Sequence, residues 1–317
     1  MDSNMFSSFV RILRESHVIL LKNRSLMASI AILMLVLHSF LVSCKFFFLR
    51  LLLKDFAMKE TRLFFTSPDS SQYTNLVTAV TADVRLLAAL GWFFVLALSM
   101  ASLFQAATAV LATAIAHGKG NLSFRDLLSR VFKPCKRLII TWFYVSVFDL
   151  GYLVLVSMSI FTFTVNFASP YRPTTFVYVI LIPVLAFLIF LAVVWSMSVV
   201  ISVLEEKSGL ESIGKASQIL KGLKGQGFLL NLVYGAIALM VHIWWYLVTK
   251  KKGTYDSLFL ALILVNVTCL IKMSHMMAFT VFYHICMFNH GEEVELQGSL
   301  EYTKLPNEPM LIGAGAP

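Results

Sequence analysis

Three ionisable side chains stand inside long apolar runs. Asp149 lies in YVSVFDLGYLV, and Lys272 and His275 lie one helical turn apart in VTCLIKMSHMMAF. A charge at the centre of a spanning helix costs about 2.5–3.5 kcal/mol on insertion scales, so each calls for a partner or a wet cavity. A carboxylate facing an ammonium, with an imidazole beside them, has the make-up of a proton- or substrate-coupling site. It equally has the make-up of a buried ion pair that fixes helix register. The expectation is that Asp149 pairs with Lys272 across a helical bundle with His275 adjacent, and both roles stay open.

A second set of charges invites a different chemistry. In LSFRDLLSRVFKPCKR, Phe124, Leu127, Leu128, Val131 and Phe132 share one helical face, and Arg125, Asp126, Arg130, Lys133 and Arg137 share the other. Across residues 210–224, Leu210, Ile213, Ala216, Leu220 and Leu223 oppose Glu211, Lys215, Gln218 and Lys221. Near the N-terminus, Phe6, Phe9, Val10 and Leu13 oppose Arg11, Arg14 and Glu15. Helices with an apolar and a cationic face lie in the headgroup plane of a membrane. Each lysine or arginine beside an anionic leaflet adds about 1 kcal/mol of attraction. Arg125, Arg130, Lys133, Lys215 and Lys221 are therefore the candidate lipid-headgroup contacts.

The elements that must position these residues follow from composition. The chain has 317 residues, 58% hydrophobic and only 14% charged, against about a quarter charged in a soluble domain. The apolar residues come in blocks of roughly 20 or more, the length a helix needs to cross a bilayer. Six spans are expected, over residues 25–48, 86–116, 138–167, 175–204, 228–248 and 257–288. Pro134 should end or bend the helix that carries it, and Pro183 should kink the fourth span, because proline removes a backbone donor. Asn231 and Asn266 suit hydrogen bonds between helices. The fold class is all-α, a polytopic membrane protein with six transmembrane helices and three cytosolic interfacial amphipathic helices. Residues 1–24 form the first interfacial helix, 25–288 the transmembrane domain, and 289–317 an acidic, disordered tail. The tail contains YTKL, which has the form of a tyrosine-based sorting signal.

Each amphipathic segment precedes two spans, which suggests a threefold repeat with units 6–116, 122–204 and 209–288. Two spans per unit return the chain to the same side, so all three segments share one leaflet. Lysine and arginine are more numerous on that side, which places it and both termini in the cytosol by the positive-inside rule, although TKKKG after the fifth span opposes this. The membrane is expected to be the plasma membrane or an endomembrane.

The net charge of +9 does not indicate nucleic acid, because the basic residues border apolar blocks and no nucleic-acid-binding motif accompanies them. The four cysteines form no C-x-x-C pair, so neither a disulfide framework nor a metal site is expected, and no cofactor is. No Walker loop, nucleophile elbow, H-E-x-x-H or kinase signature occurs.

The stretch VLEEKSGLESIGKASQILKGLKGQGF resembles a signature of the membrane domain of bacterial YciC-like proteins, also found beside some glycerophosphodiester phosphodiesterases. The matching residues are Val203, Glu205, Gly209, Ser217, Leu220 and Gly222. The whole chain also looks like uncharacterised multi-pass plant membrane proteins. The resemblance implies a helical membrane domain and no phosphodiesterase activity, since the catalytic domain of those enzymes has no counterpart here. The leading expectation is a non-enzymatic membrane protein that organises or scaffolds lipid, with membrane lipids, anionic ones among them, as partners. The alternative is a transporter or channel using Asp149 and Lys272. A membrane-embedded lipid enzyme ranks third, with Glu205, Glu206 and Glu211 but no neighbouring histidine to complete a site.

Overall fold

Inside a bilayer each backbone N–H and C=O must be satisfied by protein, and a helix does this within one segment. The computed structural model describes residues 2–118, 124–166, 175–250 and 254–290, and its regular elements there are all α-helices. They are α1 (Asp2–Lys22), α2 (Arg24–Phe65), α3 (Ser71–His117), α4 (Phe124–Asn166), α5 (Thr175–Leu204), α6 (Leu210–Ile219), α7 (Lys224–Thr249) and α8 (Thr254–His290). Six of them, α2, α3, α4, α5, α7 and α8, are long and apolar enough to cross a membrane. The tail and its YTKL sequence lie outside the described residues.

The outer faces of the spans carry large apolar side chains in the open. Ile32, Val36, Phe40, Trp92, Phe93, Leu150, Leu153 and Leu155 are all exposed. A soluble monomer rarely shows so extensive an apolar surface, whereas a lipid-solvated bundle requires one. The core sits around the second half of α8, where Met273, Met277, Phe279, Phe282, Tyr283 and Cys286 are buried. α8 packs on α1, α2, α3, α5, α6 and α7.

Helix lengths depart from the sequence expectation at one end. α2 has 42 residues and α3 has 47, or about 63 and 70 Å at 1.5 Å per residue. That is about twice a hydrocarbon core of roughly 30 Å. Residues 49–85, expected to connect two spans, instead continue both helices to a tight turn before Ser70, whose side chain accepts from the Tyr73 N–H. Lys59 ties this hairpin together through Asp55 at 2.6 Å and Asp83 of α3 at 2.8 Å.

The amphipathic segments also differ from expectation. α1 is a separate helix, but Phe9 and Ile12 are buried against the bundle while Phe6 and Val10 are exposed. The segment 124–137 is no separate helix: it forms the first turns of α4, which runs through Pro134 without a break. There Leu127 and Val131 are buried against protein, and Phe132 is exposed. α6 stops at Ile219, so Lys221 and Gly222 belong to a turn. It buries Ser212, Ala216 and Ile219 in the bundle and leaves Leu210 exposed. Periodicity in the sequence reports that a face is buried, not whether lipid or protein buries it.

Close helix approach has a single-residue test at Gly227 on α7. A Cβ there would sit 2.6 Å from Val193 Cγ1 on α5 and 3.1 Å from Phe282 on α8. Gly227→Ala is expected to force the three helices apart and cost about 1–3 kcal/mol of stability, read as a lower melting temperature in detergent. Gly235, whose added Cβ meets open space, should tolerate alanine as the control.

Candidate functional site

One end of the bundle gathers the α2, α4 and α7 N-termini, the α3, α5 and α8 C-termini, and α6. Glu205 stands there, one residue past α5. Its Oε2 is 2.9 Å from Lys215 Nζ on α6, and its Oε1 accepts from Tyr283 Oη on α8 at 2.6 Å. The Glu205 carbonyl accepts from Arg137 Nη1 on α4 at 3.0 Å. The Lys215 and Glu205 side chains are only 16% and 12% exposed, and Tyr283 is fully buried. With one carboxylate oxygen on an ammonium, the other on a phenol and its carbonyl on a guanidinium, Glu205 is a cross-brace joining α4, α5, α6 and α8.

Beside it lies a knot of hydroxyls. Thr141 Oγ1 accepts from the Gly209 N–H at 2.8 Å, and stands 2.8 Å from Ser202 Oγ and 3.3 Å from Ser212 Oγ. Ser212 in turn donates to the Gly209 carbonyl at 2.8 Å. The chain leaves α5, turns through Gly209 at φ +59° and enters α6, and Thr141 satisfies the backbone of that turn. Buried polar groups persist when each is paired, and these three hydroxyls pair with one another and with the turn.

This geometry sorts the sequence candidates. Of the residues that carried the expected resemblance, Glu205 and Gly209 are at the centre of the brace, Gly222 turns the chain at φ +92°, and Ser217 is exposed. Lys215, expected to reach lipid headgroups, is instead the internal partner of Glu205. Its position on a polar helical face gave no sign that a carboxylate five residues before the helix folds back over it. Arg125, Lys133 and Lys221 are exposed and Arg130 is half-buried. None of the four forms a salt bridge among the described residues.

The intramembrane candidates do not meet as expected. α4 and α8 do not touch among the described residues, so the predicted Asp149–Lys272 pair does not form. Other helices intervene, and Asp149 is exposed on the outer side of α4. Lys272 donates to Ser102 Oγ of α3 at 3.4 Å. His275 Nε2 donates to Asn231 Oδ1 of α7 at 2.7 Å, and Ser39 of α2 donates to Asn266 Oδ1 at 2.9 Å. The two asparagines thus bridge helices, as their type suggested. Tyr283, Thr141, Ser202 and Ser212 escaped notice, because hydroxyls in a span carry no sequence signal that separates a partner from a bystander. Among the described residues no cluster of His, Cys, Asp or Glu has the grouping to hold a metal ion.

Six apolar helices with an exposed apolar girdle and a polar brace at one end define a multi-pass α-helical membrane protein. A family model described as domain of unknown function DUF8558 matches residues 2–303, and the chain belongs to that family. No curated protein and no solved structure matches it.

Proposed function

We propose that this is a non-catalytic membrane protein that gathers anionic lipid at the braced end of the bundle. The observation that carries the reading is the set Arg125, Arg130, Lys133 and Lys221. These four cations stand around the start of α4 and the α6–α7 turn with no salt-bridge partner among the described residues. The excess of lysine and arginine at this end supports placing it, and with it the N-terminus, at the cytosolic leaflet, which is the leaflet that carries anionic lipid. Transport through an Asp149–Lys272 site draws less support, because the two residues are held on helices that do not meet.

The test is a comparison of phosphatidylserine with phosphatidylcholine by brominated-lipid quenching of tryptophan fluorescence in the reconstituted full chain. At about 1 kcal/mol per cation before screening, replacing all four by glutamine is expected to lower the preference for phosphatidylserine roughly tenfold or more. The native preference is expected to fall as salt rises, since the Debye length shrinks to about 8 Å at physiological ionic strength. An unchanged preference in the quadruple variant defeats the proposal.

A further inference from the structure

A groove of about 440 Å³ opens between α1 and the α7–α8 pair. That volume falls in the range of roughly 300–1,000 Å³ typical of small-ligand sites. Leu13, Leu20 and Met277 provide apolar lining, Tyr234 adds an aromatic ring, and Arg14 and His17 supply the nitrogen-bearing side chains. Tyr234 Oη is already committed, donating to the Ser274 carbonyl at 3.2 Å. Arg11, one turn before Arg14, is paired with Glu15 at 3.8 Å. Arg14 and His17 have no hydrogen-bond or ion-pair partner among the described residues, and both are exposed.

An arginine beside the apolar walls of spanning helices needs an anion or water, and here no carboxylate of the described chain supplies the anion. Guanidinium geometry matches phosphate through two parallel N–H donors. A guanidinium and an imidazole lining the same groove as Leu13, Leu20 and Met277 suit an amphiphile with a phosphate at one end and a hydrocarbon chain at the other. We propose that this groove binds a single membrane phospholipid with an anionic headgroup, its phosphate on Arg14 and His17 and an acyl chain along Leu13, Leu20 and Met277. The proposal rests on the reading of the chain as a protein that gathers anionic lipid. It adds a discrete, saturable site on residues other than the basic patch of α4 and the α6–α7 turn.

Native mass spectrometry of the full chain in detergent, titrated with phosphatidylserine, tests it. One lipid is expected to be retained at low concentration ahead of weaker additional ones. Arg14→Gln with His17→Gln should weaken that first binding at least tenfold, and Leu20→Trp, which fills the trough without changing charge, should weaken it comparably. Melting temperatures of the variants verify that the fold persists. The quadruple patch variant should keep the first lipid and lose the weaker ones. If the groove variants retain the first lipid while the patch variant loses it, the groove assignment is wrong and the patch reading stands. If the patch variant loses nothing while the groove variants lose the first lipid, the patch reading fails alone. Equal retention of phosphatidylcholine would overturn the headgroup assignment, and displacement by inorganic phosphate alone would overturn the lipid assignment.

Discussion

Glu205→Ala is expected to lower the unfolding free energy of the bundle by about 3–5 kcal/mol, the usual effect of removing one partner from a buried ion pair. The size follows from what is left behind. Lys215 Nζ, 2.9 Å from Glu205 Oε2 on a side chain only 16% exposed, would lose that carboxylate contact. Tyr283 Oη, which donates to Glu205 Oε1 at 2.6 Å from a fully buried ring, would lose its acceptor. Unfolding in mixed micelles with rising sodium dodecyl sulfate provides the measurement. The interpretation turns on a double replacement. Glu205→Gln with Lys215→Met removes both charges, and should be milder than the sum of Glu205→Gln and Lys215→Met measured singly, because each single change already removes the contact between them. A double variant as damaged as the sum of the singles would show that the two side chains act independently and that the brace is not a pair.

Glu205 and Lys215 also show how far the sequence could be read. Both were visible as residues of interest: Glu205 among the three glutamates beside the amphipathic segment, Lys215 through its place on that segment's polar face. Their relation was not visible. The turn at Gly209 brings α6 back toward the end of α5, and a wheel drawn for α6 alone holds no information about that return. The six spans were legible because a bilayer demands about 20 apolar residues in a row, a signal local to each segment. The α2–α3 extension was not, since residues 49–85 mix charge with grease and so lack an unbroken apolar run. The Asp149–Lys272 pairing failed for a similar reason. Two opposite charges at similar depth suggest a pair only if their helices are neighbours, and helix adjacency is a property of the bundle. By contrast, the bridging of helices by Asn231 and Asn266 is legible in the sequence, because an amide in a span has few alternatives to a neighbouring helix.

Gly209→Ala should be the most damaging conservative change in the turn, costing about 2–6 kcal/mol when two effects are combined. The backbone at φ +59°, ψ −129° lies in a region essentially reserved for glycine, and holding another residue there costs about 1–3 kcal/mol. The added methyl would also stand 3.0 Å from the Tyr144 ring and 3.3 Å from Ile140 Cγ2 on α4, an overpacking worth about 1–3 kcal/mol more. Any shift that relieves the contact pulls the Gly209 N–H away from Thr141, and with it the start of α6 that carries Lys215 to Glu205. Gly222 separates the two effects. It has φ +92° but open space where a Cβ would go, so Gly222→Ala should lose only the backbone share, about 1–3 kcal/mol. Trimming the ring with Tyr144→Leu should recover part of the loss in Gly209→Ala and none of the loss in Gly222→Ala. Equal losses in the two glycine variants, unmoved by Tyr144→Leu, would mean that the turn does not press against α4. The brace at Glu205 would then owe its position to α8 through Tyr283 rather than to the seat of the turn on Thr141.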